Sequence, residues 1–331
     1  MNKTINAAAN RDLSLDAAKG LLILMVVYAH CFTDGVVHDF FFAFHMPAFF
    51  VISGLTSAMT KETDRPLADT VWKLMRTIGV PYVFFEVLGI VQELIRNGLS
   101  QSWKGFVFNI VTLRCNNIVD WFLGTLLLAK LLAFLLRNGL RKVLGPKTAD
   151  KGYFLAAVVG MAFAVLFSRT VPFLFVVIRR TLIAHAFFAI GLVWEPFIRK
   201  RALPLALASL SAAFALSLLN TEFVNLNDMQ LGIPAVFLAA ALLGAYGVIQ
   251  LGKICEWKPL VWLGQNSLII MGTHIPILLL ARHVSGTTSP TLPHRIGDFI
   301  LIMLLEIPIV WFLQNRAPFL LGKKGNAGHE C

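Results

Sequence analysis

Charge is scarce in this chain. Asp, Glu, Lys and Arg make up 14% of its 331 residues, where a water-soluble domain carries nearer a quarter. That scarcity excludes an ordinary soluble fold. It also excludes an extended disordered chain, which needs many charges and few apolar residues. Acidic residues are the scarcer sign, with 18 Asp and Glu against 29 Lys and Arg and a net charge of +11. Only four cysteines occur (Cys31, Cys115, Cys255, Cys331), and none has metal-ligand spacing. Cys31 and Cys115 both fall near the expected outer face. Two readings stay open for them, a disulfide or two small apolar residues. Low-complexity tracts, short repeats and Pro/Gly clusters are missing, so no linker or soluble domain is expected. The opening residues, MNKTINAAANRDLSLD, are polar, and no small-residue cleavage site follows the first apolar stretch. That stretch is expected to stay as a membrane helix.

Apolar residues fill the gap: 57% of the chain is hydrophobic and its mean hydropathy is +0.73. A bilayer is crossed by about 20 apolar residues in a helix. Ten such runs are present, near 14–33, 40–60, 74–95, 119–137, 153–168, 181–197, 203–220, 231–251, 260–281 and 297–316. The expected fold is all-α and integral to the membrane, one domain over 1–331, with both termini cytoplasmic. The basic residues support that threading. With the N-terminus inside, the inner connections hold more than twice as many Lys and Arg as the outer ones. The positive charge is thus topological and does not call for nucleic acid. Arg114, Arg179 and Arg180 are expected on the outer side, where that rule disfavours them. They would meet a substrate or snorkel into headgroups. Arg282 and Arg295 are read mostly as snorkelling residues, and Arg169 is counted on the outer side.

Ionisable groups inside a membrane are costly and mark function. His30 closes the first run, His45 lies in the second, His185 in the sixth and His274 in the ninth, all toward the outer side. Asp120 opens the fourth run beside Trp121, while Glu86, Lys130 and Glu306 fall mid-run. Each histidine alone could be a hydrogen-bonded core residue; together they predict a polar cavity open to the outside. Lys19 and His30 are eleven residues apart. That is almost three helical turns, so they share one face, roughly 16 Å apart. Asp16, three residues before Lys19, is placed to pair with it. In FFFAFHMPAFFVISGLTSAM, Pro47 frees a backbone carbonyl and Ser53–Gly54 permits close packing.

LDAAKGLLILMVVYAH followed by FFAFHMPAFFVISG resembles the opening of the membrane-bound acyltransferase 3 family. It is most similar to the branch of fucose 4-O-acetylase-like and nodulation-factor acetylases. That family's first helix carries a basic residue, ten others, then His. Lys19 and His30 match this, with Lys where many members have Arg, so a bidentate grip becomes a point charge. KLMRTIGVPYVFF, DWFLGTLLLAKLL and WLGQNSLIIMGTH are similar in kind.

The resemblance implies transfer of an acyl group, usually acetyl, to a sugar hydroxyl of a cell-envelope or exported glycan. Acetyl-CoA would be the donor and no metal is implied. The location implied is the bacterial cytoplasmic (inner) membrane. His30 would be the base or would carry the acyl group itself, with His45 as a second acid/base group. Lys19, held by Asp16, would meet the charged part of the donor, with Lys73 and Arg76 as further phosphate contacts. Arg114, Asp120, Trp121, Arg179, Arg180 and His274 would bind the glycan or lipid-linked sugar. Gln265, Asn266 and Ser267 would bond to CoA or only to neighbouring helices. Two other classes fit ten apolar helices. A glycan or solute exporter would show paired broken helices in an internal repeat, and no convincing repeat is found. An assembly factor would leave the polar stripe of the first helix unexplained.

Overall fold

The computed structural model describes residues 12–62, 66–98, 102–166, 173–198, 201–220 and 222–323. The expected outer residue Arg169 and the inner residues Arg11, Arg65, Arg199 and Lys200 lie outside them, as does Cys331. The regular secondary structure of the described residues is all helical, apart from one isolated bridge between Asn225 and Gln230.

Helix α1 (Leu13–Cys31) starts at Asp12, whose carboxylate accepts the backbone N–H of Ser14 and Leu15 at 2.9 and 3.3 Å. This caps two donors that lipid would leave unpaired. α2 spans Val36–Met59. α3 runs over Leu67–Asn97, helical in Leu67–Leu74 and Val80–Asn97 and widened to a π-turn at Met75–Gly79. A short α4 (Trp103–Thr112) precedes α5 (Trp121–Leu144), α6 (Pro146–Leu166) and α7 (Phe173–Val193). One turn, α8 (Glu195–Ile198), leads to α9 (Leu203–Leu219) and α10 (Pro234–Ile254). The chain closes with α11 (Lys258–Gln265), α12 (Ser267–Ser285), α13 (Leu292–Asn315) and a 3-10 turn at Pro318–Leu321.

Nine helices among the described residues are long and apolar enough to cross a membrane: α1, α2, α3, α5, α6, α7, α10, α12 and α13. The expected run at 203–220 is present as α9, but its 17 residues fall short. Pro204 sets its start. Asn220 ends it, donating to the Leu231 carbonyl and accepting from the Ile233 N–H. The run expected at 260–281 is two helices, because Asn266 leaves helical geometry between α11 and α12. The run expected at 181–197 begins earlier, at Phe173, so Arg179 and Arg180 lie inside α7 and not in a connection.

Helices α1 and α2 form the centre, 61% and 72% buried along their apolar windows, against 22% for α6 and α13. α1 packs on α10, α11 and α2, and α2 packs on α7 and α10. The peripheral helices show apolar stripes outward, such as Ile300, Leu304, Ile307 and Trp311 on α13. Lipid tails are as apolar as these side chains, so burial cannot by itself drive helices together. Close backbone approach does. A Cβ on Gly264 of α11 would sit 1.7 Å from the Asp16 carbonyl oxygen of α1, and one on Gly20 would sit 2.0 Å from that of Leu260. Gly54 and Gly191 join α2 to α7 in the same way, each 2.1 Å from the other helix's backbone oxygen.

Gly139, by contrast, has open space where a Cβ would stand. Gly139→Ala is therefore expected to raise stability by about 0.5–1 kcal/mol through helix propensity. Gly264→Leu is expected to abolish the monodisperse folded species. Fluorescence-detected size exclusion and thermal melts in detergent check both; a well-behaved leucine variant would contradict the packing.

Candidate functional site

The chemistry gathers at the two ends of α1. At its start, the Lys19 ammonium meets the Asp16 carboxylate at 2.6 Å, and Gln265 of α11 donates to the other Asp16 oxygen at 3.3 Å. The glycine contact of α1 with α11 holds this trio together. Asn266 donates to the Trp262 carbonyl and accepts from Gln314 of α13, so it ties helices together. Between the two ends of the stripe, Leu22, Ile23 and Val26 are fully buried in the core.

At the other end, His30 lines a cavity of about 270 Å³ with Ala29, His38, Phe42, His45, Trp121 and Phe223. His38, Phe42 and His45 share one face of α2, four and then three residues apart. Phe42 stands 5.1 Å from His45 and 4.8 Å from Phe223, centroid to centroid, and Phe223 stacks on His38 at 5.1 Å. The Nδ1 of His45 lies 2.5 Å from the Phe41 carbonyl oxygen. A carbonyl only accepts, so Nδ1 carries the proton and the neutral ring keeps its lone pair on Nε2.

The connection between α9 and α10 supplies the cavity's remaining polar wall, Asn225, Asn227 and Asp228. Asn225 and Gln230 pair through their backbones, and Asn225 also donates to Asp228 at 2.8 Å. Arg180 anchors this loop from beneath. Fully buried, it donates to Asn227 Oδ1 at 2.5 Å and lies over the Trp121 ring at 5.2 Å. A larger cavity of about 880 Å³ adjoins it, lined by Arg179, Glu222, Gln230 and Leu231. Phe223 and Asp228 line both spaces. Arg179 donates to the Ala164 carbonyl at 2.7 Å.

Behind His30 lies His274, fully buried, with ring centroids 5.2 Å apart. It is not among the residues lining the cavity. Its Nδ1 is 2.7 Å from the Ile270 carbonyl oxygen. Pro276 removes the donor for the Gly272 carbonyl, and Asn117 Nδ2 replaces it at 2.9 Å. Asp120 is buried where α5 begins, near Asn117 and Glu86. Glu86 accepts from the backbone and side chain of Asn116 at 2.6 and 3.0 Å. Of the expected site residues, Arg114 is exposed and stands over Phe108 at 5.3 Å, apart from both cavities. His185 is remote as well, edge-on to Tyr153 in a satellite core. Arg282 and Arg295 pair with Asp298 at 2.8 Å and Asp34 at 2.5 Å, tying the ends of α12, α13 and α1. Both thus brace these segments. Cys31 and Cys115 are both free thiols.

At the Lys19 side, Lys73 and Lys130 both bind Glu62, at 2.8 and 2.7 Å, and Ser57 donates to it at 2.6 Å. Arg76 sits in the π-turn of α3, and its carbonyl abuts Gly322. Burial raises the Glu62 carboxyl, but Lys130, Lys73 and Ser57 outweigh it and hold it at about 2, below the ordinary 4.5. A depressed carboxyl contributes stability that is complete above its unfolded value and lost as pH falls through its folded one.

Sequence reasoning missed His38, Phe42, Phe223, Asn227 and Asp228. Two signals were available for part of this. His38 repeats the face of His45 seven residues earlier, and both HMP and HIP place a histidine two residues before a mid-helix proline. The loop carried none, since its role depends on a distant arginine.

The thermal midpoint of solubilised protein is expected to be flat above pH ~5 and to fall as pH drops through about 2. Glu62→Gln should lower the midpoint at neutral pH and blunt the acid loss, because two lysines lose their partner. Superimposable melts of the two proteins would contradict this account.

The model of the acyltransferase 3 family, described as an acyltransferase domain, matches residues 12–314, nearly the whole chain. No curated protein and no solved structure matches it. The match takes in both ends of α1, the cavity and the loop that walls it. With apolar helices enough to cross a bilayer many times, the chain belongs to the acyltransferase 3 family and is a multi-pass membrane acyltransferase.

Proposed function

We propose that this protein moves an acetyl group from acetyl-CoA to a sugar hydroxyl of a cell-envelope or exported glycan, in the bacterial cytoplasmic membrane. The observation that carries the reading is His30, whose ring stands on the wall of a polar, aromatic-lined cavity. Acyl transfer to an alcohol needs a base near neutral pKa, and imidazole is the side chain suited to it. His30 takes the hydroxyl proton as the oxygen attacks the thioester carbonyl. The carbon–sulfur bond breaks, and the departing thiolate takes that proton, leaving an acetyl ester and free CoA. His45 lines the same space and stands ready to bond to the acceptor.

The sizes of the two spaces suit a sugar. About 270 Å³ lies just under the usual range for a whole small-molecule site, ~300–1,000 Å³, and admits about one ring. The adjoining 880 Å³ gives the rest of a glycan room. Trp121 and Phe223 offer faces for the apolar side of a sugar, and Asn225, Asn227 and Asp228 offer partners for its hydroxyls. Lys19, on the side rich in Lys and Arg, is the donor-facing cation, with Lys73 and Arg76 of α3 on that same side of the threading. Lys73 would have to exchange Glu62 for a phosphate.

Membranes carrying the protein, given acetyl-labelled CoA and an extract of envelope glycans or lipid-linked sugars, test this. Label is expected in the glycan fraction, falling about 10²–10⁴-fold in His30→Ala at equal protein level. Equal labelling by the variant would remove His30 as base. No label over a broad acceptor panel would sink the glycan reading.

A further inference from the structure

The acid/base histidine needs one defined nitrogen facing the acceptor. An imidazole has two, and what the other one touches decides which carries the proton. His30 makes ring contacts with Phe42 at 6.2 Å and His274 at 5.2 Å, and no hydrogen bond to it is seen among the described residues. His274 is already committed. Its Nδ1–H donates to the Ile270 carbonyl, so the neutral ring presents a bare lone pair at Nε2. That atom is buried and has no hydrogen-bond partner. An unpaired buried acceptor costs about 1–3 kcal/mol, so its retention here asks for a donor.

The geometry points to His30 as that donor: we infer that His274 is a positioning residue, which accepts one ring N–H of His30 and leaves the other nitrogen's lone pair facing the cavity. The inference rests on the reading of His30 as the base. Two imidazoles sharing one N–H···N bond hold their centroids about 5 Å apart, given the usual hydrogen-bond length. The observed 5.2 Å meets this, with the two rings tilted by 43°. Such bonds commonly tighten only when substrate is bound. His274 itself is held twice over. Its Nδ1 is locked one turn back on α12, and Asn117 fixes the helix by filling the carbonyl that Pro276 leaves open. His45 has the same Nδ1 lock but lines the cavity, so its Nε2 faces substrate instead. The two histidine–X–proline segments thus do different work, one against the acceptor and one behind the base.

The test compares His274→Gln, which keeps an acceptor oxygen, with His274→Leu, which has none, in the labelled transfer assay with purified full-length protein. His274→Phe, which keeps a flat ring, serves if the leucine variant does not fold. The expected result is a kcat lower by about 100-fold in the leucine or phenylalanine variant and by less than about tenfold in the glutamine variant. KM for acetyl-CoA and for the glycan should stay within about twofold of wild type, because His274 touches neither. A filler of core volume would not separate glutamine from leucine in kcat alone. Wild-type kcat in the non-accepting variants would overturn the inference. So would equal loss in all variants, or a loss carried by KM. Failure of the underlying reading looks different: the wild-type protein itself then labels no glycan.

Discussion

Lipid offers no hydrogen bonds, and every polar group placed at membrane depth has to find its partner inside the protein. That one constraint organises this fold. Backbone donors at the start of α1 are taken by Asp12, the carbonyl opened by Pro276 is taken by Asn117, and the ring protons of His45 and His274 go to carbonyls one turn earlier. Other buried polar atoms among the described residues are left without a partner, including both Asp120 carboxylate oxygens, Glu306 Oε2 and the Nε2 of His185 and His274. Of these, His274 Nε2 belongs to the ring that stands 5.2 Å from that of His30.

Several charges come in closed sets, although both oxygens of buried Asp120 stay without a partner. Glu62 is shared by two lysines, Arg282 and Arg295 each take a carboxylate, and Arg180 is spent on Asn227 and the face of Trp121. Arg180 shows how a buried cation acts at a distance. It does not enter the cavity; it holds the loop that does.

Much of this was legible in the sequence. Hydropathy alone placed the helices, and the spacing of Lys19 and His30 placed two chemical groups on one face. The gathering of His30 and His45 at one end followed from the threading. Less legible was what depends on contacts far apart in the chain. The break at Asn266 falls in a run whose apolar content is uninterrupted, and it exists because Gly264 and Gly20 draw α11 onto α1. The burial of Arg180 depends on a loop nearly fifty residues later. Arg114 could not be told from Arg180 by position, since both flank the same face, yet one rests on an exposed phenylalanine and the other lies in the core. His38 was passed over because it stands just beyond the expected start of its helix.

The stripe between Lys19 and His30 has an electrical meaning. Leu22 and Ile23 fill it with fully buried apolar side chains, and Val26 continues them to the wall of the cavity. An apolar filling of this kind offers no polar partner to a proton or ion moving along α1. On the proposed reading, in which a cytoplasmic donor reaches His30 along α1, those side chains would have to part to let the acyl group through.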